Sequence, residues 1–306
     1  MSKRTILITG SNGLLGQKLI HQLTNNKEFE LIATAKGDNR VSGSGDFRYL
    51  ELDITNRDEV LRVITSECPD VVINTAAMTN VDACETLKDD CWNLNVKAVE
   101  YLVEACTITD SHFMQLSTDF VFDGLAGPYA ETDKPNPISF YGWSKYASEL
   151  SVEMSELKNW SIVRTIIIYG LVEDMSRSNV VLWAKQAMEK GSAINVVDDQ
   201  FRSPTLAEDL AAGCILIADQ KAKGIFHLSG KETMSILDLV YKVGEFFNLD
   251  TSIVKPIKSA SLNQAAKRPP RTGFVIDKAI KELGYKPKSF TEGLEMLNSQ
   301  LKEKEL

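Results

Sequence analysis

The chain has 306 residues, of which 43% are hydrophobic and 25% charged, and its formal net charge is −8 at pH 7. This length suffices for one large α/β domain or for two unequal lobes with a substantial core. The acidic balance argues against a surface that binds nucleic acid, because phosphate backbones are bound by basic patches. No apolar run approaches the roughly 18 residues that a membrane span requires.

Neither the five cysteines nor the three histidines have the spacing of metal ligands or of a redox pair. The N-terminus leads directly into a short apolar run and offers no long signal-peptide core. We therefore expect reduced thiols, a cytoplasmic location, no metal site and no association with a membrane.

The first half of the chain alternates between short apolar runs and segments with helical spacing. The runs are typical of buried strands in a parallel sheet. Repeated strand–helix units predict an α/β protein with a doubly wound parallel sheet of the Rossmann type. The predicted strands are 5–9, 29–35, 49–52, 71–74, 112–117 and 161–165, and the predicted helices are 14–23, 57–67, 92–106 and 140–157.

The regular alternation of strands and helices changes after about residue 170. Helices are predicted at 179–190, 207–217, 235–247 and 291–302, with short strands at 194–197 and 224–228. We predict a dinucleotide-binding domain over residues 1–170. A smaller, mainly substrate-binding α/β lobe is predicted over residues 171–306, with some elements returning to the first sheet.

A glycine-rich loop follows the first predicted strand and opens the first helix. Gly10 permits a tight turn, Gly13 lets the backbone approach a pyrophosphate, and Gly16 lets the helix pack closely on the strand. The strand–turn–helix context predicts dinucleotide binding. The predicted cofactor-binding residues of this loop are Gly10, Ser11, Asn12, Gly13, Leu14, Leu15 and Gly16.

The choice of cofactor depends on the end of the second strand, where a carboxylate favours a free ribose 2′-hydroxyl and a basic residue accommodates a 2′-phosphate. Lys36 and Arg40 favour NADP(H), whereas Asp38 keeps NAD(H) open. Two solvated loop charges are the alternative interpretation of these basic residues.

Tyr141 and Lys145 share one face of a predicted helix, because they are four residues apart. An ammonium beside a phenol stabilises the phenolate, which makes tyrosine useful nearer neutral pH. Reduction of a carbonyl by hydride needs such a proton donor. An isolated pair of this kind also occurs on solvated helix faces, so the order of the motifs along the chain matters.

Four segments follow the glycine loop in a fixed order: 74–85, 117–124, 141–145 and 199–205. With the Gly-x-x-Gly-x-x-Gly spacing, they resemble the extended short-chain dehydrogenases/reductases and, within them, the dTDP-4-dehydrorhamnose reductase family. The resemblance covers residues 4 to about 210 and continues more weakly at 224–230 and 267–271. It implies NAD(P)H-dependent reduction of the C4 ketone of a dTDP-linked 6-deoxyhexulose.

The resemblance also implies roles for particular residues. Thr118 would bond the substrate oxygen, Tyr141 would donate the proton, and Lys145 would lower the pKa of Tyr141 and hold the nicotinamide ribose. Asp119 would face the sugar, and Asn95 would support an active-site water unless it lies on the helix surface. The expected cofactor contacts outside the glycine loop are Lys36, Arg40, Asp53, Ile54, Ala76, Ala77, Met78, Tyr141 and Lys145.

Three positions depart from the family pattern. Ile167 stands where members usually carry tryptophan, and Met78 stands where histidine is common. Arg202 replaces a frequent glycine and would either clamp a substrate diphosphate or form a surface ion pair. These departures leave the reductase chemistry in place and keep the identity of the sugar nucleotide open.

Alternative activities follow from the same residues. Sugar-nucleotide dehydratases have an Asp-Glu pair after the active-site threonine, and Phe120 in place of the Glu cannot transfer a proton. Two alternative functions remain: a sugar-nucleotide epimerase, and a non-catalytic NADP-binding subunit resembling the β subunit of methionine adenosyltransferase. The expected partner is a nucleotide-sugar substrate, and a homodimer is left open.

Overall fold

The computed structural model describes residues 3–24, 26–41, 45–173 and 179–304. The strands in these residues are β1 (Arg4–Thr9), β2 (Phe29–Ala35), β3 (Arg48–Glu51), β4 (Val71–Asn74), β5 (His112–Thr118), β6 (Trp160–Thr165), β7 (Ile168–Tyr169), β8 (Ile194–Val197), β9 (Phe201–Arg202), β10 (Thr205–Leu206), β11 (Gly224–His227), β12 (Met234–Ser235) and β13 (Val254–Ile257).

The helices are α1 (Leu14–Leu23), α2 (Arg57–Glu67), α3 (Val81–Thr86), α4 (Lys88–Trp92), α5 (Ala98–Thr109), α6 (Phe140–Glu153), α7 (Val180–Glu189), α8 (Ala207–Gln220), α9 (Ile236–Phe246) and α10 (Phe290–Lys304). Two π-helical stretches lie at Asn93–Lys97 and Ala279–Leu283. Within the described residues, no helix is long and apolar enough to cross a membrane.

A seven-stranded sheet has the order β11-β6-β5-β4-β1-β2-β3. Each neighbouring pair of its strands is parallel. The chain winds outwards in both directions from β1 and β4, so their carboxyl ends mark the point where the strand order reverses. Open sheets of this kind bind ligands at that point. The predicted doubly wound α/β fold is confirmed.

Both faces of the sheet are covered by apolar side chains. Ile6 and Ile8 of β1 face α1 and α8, whereas Leu7 between them faces α2 and α5. Strands covered on both faces have continuous apolar sequences, which explains the runs seen in β1 and β4. This burial positions the ends of the strands rigidly.

The residues after 170 divide between two cores. α8 packs on α1, and β11 extends the central sheet beside β6. In contrast, α7, α9 and α10 surround a separate apolar cluster that includes Val181, Leu239 and Leu294. Some late elements therefore return to the first sheet, whereas the domain boundary at residue 170 stays a prediction.

The helix predicted at 92–106 differs from the observed one. Helical structure begins at Lys88 and continues through the π-helical stretch Asn93–Lys97 into α5. Periodicity alone does not reveal the additional residue of a π-helical turn, which often occurs at functional sites. Helix α6 also ends earlier than predicted, at Glu153, because Ser155 turns back and donates to the carbonyl of Val152.

Candidate active site

The glycine loop joins β1 to α1. Gly10 has φ +70°, and a Cβ atom there would lie 2.7 Å from the backbone nitrogen of Ala76. A Cβ on Gly16 would lie 2.5 Å from the carbonyl oxygen of Gly10. These two glycines are required for packing, because any side chain would collide with backbone.

Gly13 has a different role in the loop. It is exposed, and the nearest atom to a Cβ there would be the carbonyl oxygen of Gly10, at 3.3 Å. The space in front of the α1 N-terminus therefore stays open, where backbone N–H groups favour a negatively charged group. The open space at Gly13, in front of the N-terminus of α1, fits the diphosphate of a dinucleotide.

Asn12 connects the glycine loop to the turn after β2. Its Nδ2 donates to the carbonyl of Asp38 at 2.9 Å, and its Oδ1 accepts from the backbone N–H of Arg40 at 2.8 Å. Ser11 beside it is buried, and its Oγ has no hydrogen-bond partner among the described residues. The two loops that would flank an adenosine are thus held together.

Lys36 and Asp53 form an ion pair, with 2.7 Å between Nζ and Oδ2. The side chain of Lys36 is 79% exposed, so water weakens this pair. Burial raises the pKa of Asp53, but hydrogen bonds from Lys36 and Thr55 outweigh it and the net shift is downward. The side chain of Ile54 packs in the core beside α2 and does not line the cleft described below.

Thr118, Tyr141 and Lys145 line one cleft of about 700 Å³ at the carboxyl ends of the strands. Thr118 ends β5, and the other two lie in the first turns of α6, where Ser139 caps the helix. The structure thus brings the predicted trio together beside the glycine loop. The predicted residues that line this cleft are Asn12, Gly13, Leu14, Leu15, Ala77, Thr118, Asp119, Tyr141 and Lys145.

Burial controls the protonation of Tyr141 and Lys145. It raises the pKa of Tyr141 above the usual range, more than a hydrogen bond with Thr118 lowers it. The net shift is opposite to the effect predicted for Lys145. Burial also lowers the pKa of Lys145 to about 8, although Glu149 opposes this shift. Nζ of Lys145 donates to the carbonyl of Leu116 at 2.6 Å.

Asp119 lies at the edge of the cleft, mostly inside the protein. It accepts from Thr118 Oγ1 at 3.1 Å and from Thr272 Oγ1, and Arg202 Nε lies 3.5 Å from its Oδ2. Burial raises the pKa of this carboxyl more than Arg202 and the hydroxyls lower it. The carboxyl is therefore held by protein groups.

The buried position of Arg202 contradicts the prediction that it clamps a substrate diphosphate. Its side chain is 2% exposed, does not line the cleft, and donates to the carbonyls of Phe201, Pro269 and Pro270. The alternative of a surface ion pair is wrong as well, because the guanidinium is buried behind Asp119. In this structure Arg202 braces the segment around Pro270.

Asn95 lies in the π-helical stretch and is 1% exposed, so the helix-surface alternative is wrong. Its Oδ1 accepts from the backbone N–H of Met78 at 2.8 Å, and its Nδ2 donates to the Met78 carbonyl at 3.1 Å. Nδ2 also lies 3.0 Å from Ser144 Oγ, which donates to the carbonyl of Tyr141. Asn95 therefore joins the loop after β4 to the first turns of α6.

Met78, a predicted cofactor contact, packs with Tyr141 and does not line the cleft.

Several lining residues were absent from the sequence prediction. Thr75, Leu116 and Thr165 lie at or just after the carboxyl ends of β4, β5 and β6, where the rule for parallel sheets could have located them. Val172, Asn179 and Val180 come from beyond residue 170. No local pattern marks these three, because only the tertiary fold brings them to the cleft.

The family model described as RmlD substrate binding domain matches residues 4–303. The chain belongs to the RmlD family. Among curated relatives of this RmlD-family chain, a dTDP-4-dehydrorhamnose reductase from Aggregatibacter actinomycetemcomitans is 31% identical, with 96% of this chain and 98% of the relative covered. Methionine adenosyltransferase 2 subunit beta from Danio rerio is 32% identical, with 87% and 81% covered.

Solved structures of dTDP-4-dehydrorhamnose reductases have the same architecture. A dTDP-4-dehydrorhamnose reductase from Clostridium acetobutylicum superposes with a TM-score of 0.86 at 31% identity, covering 97% of this chain and 99% of that one. The enzyme from Bacillus anthracis in complex with NADP gives 0.84 at 29% identity, covering 98% and 100%. The predicted family is confirmed.

Proposed function

We propose that this RmlD-family chain reduces the C4 ketone of a nucleotide-linked 6-deoxyhexulose with NAD(P)H. The best candidate reaction converts dTDP-4-dehydrorhamnose to dTDP-L-rhamnose. The observation that carries the proposal is the convergence of Thr118, Tyr141 and Lys145 in one cleft beside an open glycine loop. Similarity to dTDP-4-dehydrorhamnose reductases over nearly the whole chain supports the choice of substrate.

Each residue of the trio has a separate task in this reaction. NAD(P)H held at the glycine loop would supply the hydride for the ketone carbon. Tyr141 gives its proton to the carbonyl oxygen, and burial keeps this phenol protonated until it is needed. Thr118 donates a hydrogen bond to the same oxygen, and the Lys145 ammonium favours the tyrosinate that forms. The products are the alcohol and NAD(P)⁺.

NADP(H) is the favoured cofactor in this proposal. The glycine loop would hold the diphosphate, with Asn12 keeping the adenosine-side turn in place. Arg40 and Lys36 would face the 2′-phosphate, and the Bacillus anthracis relative is known in complex with NADP. Asp38 in the same turn keeps NAD(H) open.

A non-catalytic regulatory role is the second candidate, because β subunits of methionine adenosyltransferase are similar to this chain at about the same identity as the reductase. The presence of Thr118, Tyr141 and Lys145 in one cleft favours catalysis.

A homodimer and a cytoplasmic location belong to the proposal. Light scattering after size-exclusion chromatography tests the dimer.

The decisive experiment measures NADPH oxidation with a panel of 4-keto sugar nucleotides. We expect turnover of the dTDP-linked 6-deoxyhexulose and a loss of about 10²–10⁴-fold in Tyr141→Phe, since the proton donor is removed. Tyr146→Phe is the matched control, because Tyr146 lies on the same helix without lining the cleft. A wild-type protein that binds NADPH and reduces no member of the panel would favour the regulatory role.

A further inference from the structure

Ile167 has an uncommon backbone conformation, with φ +32°. Left-handed φ values are a genuine outlier for β-branched residues, because Cβ crowds the backbone. The surrounding contacts impose this conformation: Thr205 donates from its backbone N–H to the Ile167 carbonyl at 3.1 Å and from Oγ1 to the Ile166 carbonyl at 2.6 Å. Strain of this kind persists only where neighbouring structure holds it, and it concentrates at functional sites.

The strained residue lies beside the reactive part of the cleft. Thr165, two residues earlier, is the register partner of Thr118 across β5 and β6. Ile167 lines the same cleft as Thr118 and Tyr141. Glycine would adopt this φ without strain. The aliphatic side chain is therefore present next to the reaction centre despite a cost in stability.

The lining of the cleft is chemically divided. Ile167, Ile168, Val172 and Val180 contribute aliphatic groups, and Ile167 lies in the short connection between β6 and β7, which Ile168 begins. Ser117, Thr118 and Asp119 contribute polar groups from the end of β5. The lining therefore offers a sugar polar groups from the end of β5 and aliphatic groups from the residues after β6.

We propose that Ile167 is a specificity-determining residue that packs against the C5–C6 edge of the sugar and selects a 6-deoxy hexose over a hexose with a hydroxyl on C6. This inference rests on the proposed function, which places C4 beside Thr118 and Tyr141. C6 is two bonds from C4, and its methyl group is the apolar substituent of the sugar that matches the aliphatic groups after Thr165, whereas C2 and C3 carry hydroxyls. A methyl group is buried favourably against isoleucine, whereas a hydroxyl at the same place loses its water without gaining a partner.

The test compares dTDP-6-deoxyglucose and dTDP-glucose, which differ by one hydroxyl, by calorimetric titration in the presence of NADP⁺. We expect the wild type to prefer the 6-deoxy ligand by about 10–100-fold, the range for one group in an apolar pocket. Ile167→Asn should reduce this preference to about threefold or less, because the amide is a partner for the hydroxyl. The same variant should melt at an equal or higher temperature, since asparagine tolerates left-handed φ.

Two control variants separate strain from specificity. Cys68→Asn relieves a positive φ of 42° at the exposed end of α2, outside the cleft lining, and should leave the ligand preference unchanged. Ile167→Val keeps a β-branched apolar side chain and should keep the preference.

Two results would overturn this inference and leave the proposed function in place, provided that the 4-keto-6-deoxy sugar is still reduced. They are an equal affinity of the wild type for both ligands and an unchanged preference in Ile167→Asn. Failure of the wild type to bind either ligand and to reduce the ketone would remove the proposed function together with it.

Discussion

Arg164 of β6 holds Glu149 of α6 in a bidentate ion pair, with 2.9 Å from Nε to Oε1 and 2.7 Å from Nη2 to Oε2. Both side chains are almost completely buried, and Ser117 Oγ also donates to the Glu149 carboxylate. Glu149 lies one helical turn after Lys145, on the same face of α6. This pair therefore fixes α6, with Tyr141 and Lys145, against the strands that end at Thr118 and Thr165.

We expect Glu149→Gln to lower the free energy of unfolding by about 3–5 kcal/mol, because Arg164 would be left as an uncompensated buried charge. Urea denaturation measures this loss. Glu100→Gln is the matched control, since Glu100 pairs with Lys97 on the exposed face of a helix. Equal losses in the two variants would contradict a special role for the buried pair.

Activity should depend on the protonation of Lys145, whose pKa burial lowers to about 8. We expect kcat/KM for ketone reduction to fall as the pH rises above about 8, because the free enzyme loses the ammonium that in the proposed mechanism stabilises the tyrosinate. Tyr141 stays protonated through this range, since burial raises its pKa. A profile that is flat from pH 7 to 9 would contradict this assignment.

Stability should respond to Lys145 in the opposite direction. In the unfolded chain the lysine keeps its proton up to its ordinary pKa of 10.5, whereas in the folded chain it loses it near 8. Between these values the unfolded state binds more protons, so the contribution of Lys145 to the free energy of unfolding rises with pH. Urea denaturation across this range should show a rise in the wild type that is reduced in Lys145→Met.

The variant Arg202→Met distinguishes a structural role of Arg202 in the protein interior from a role in binding the substrate diphosphate. We expect a loss of about 3–5 kcal/mol in unfolding free energy, because Asp119 loses its buried charge partner and three carbonyls lose their donor. A substrate clamp would instead raise KM for the sugar nucleotide at unchanged stability. Urea denaturation and substrate kinetics on the same preparation distinguish the two results.

Arg40→Ala should raise KM for NADPH by about tenfold with little change for NADH, because a 2′-phosphate loses a charge-assisted contact. Lys36→Ala should raise KM for NADPH only slightly, since the exposed Lys36 ammonium also pairs with Asp53. Steady-state kinetics with both cofactors measure the two ratios. An identical change for NADH and NADPH would mean that Arg40 does not contact the 2′-phosphate.

Much of the site was predictable because the relevant signals are local. The glycine spacing, the four-residue separation of Tyr141 and Lys145, and the position of Thr118 at a strand end all lie within short segments. Parallel sheets place the ends of such strands at one edge, so these segments meet without further information. The family resemblance added the candidate substrate and the proposed roles.

The burial of Arg202 and the inward position of Asn95 were not predictable from local spacing. Arg202 is buried by the carbonyls of a segment 67 and 68 residues away, and Asn95 lies in a π-helical stretch and bonds to Met78 in the loop after β4. The direction of the pKa shift of Tyr141 also depends on burial by α3 and α4, whose cysteines pack around the phenol. Each of these properties depends on atoms that are distant in sequence.

The amino-acid sequence by itself determined the doubly wound fold, the glycine loop and the placement of a phenol and an ammonium four residues apart on one helix. These features depend on periodicity and on conformational preferences of glycine, which act over a few residues. Only the tertiary structure decided which charges are buried, which side chains line the cleft and where Ile167 is strained. Desolvation and packing are properties of the assembled chain, because they depend on which distant residues exclude water from a given group.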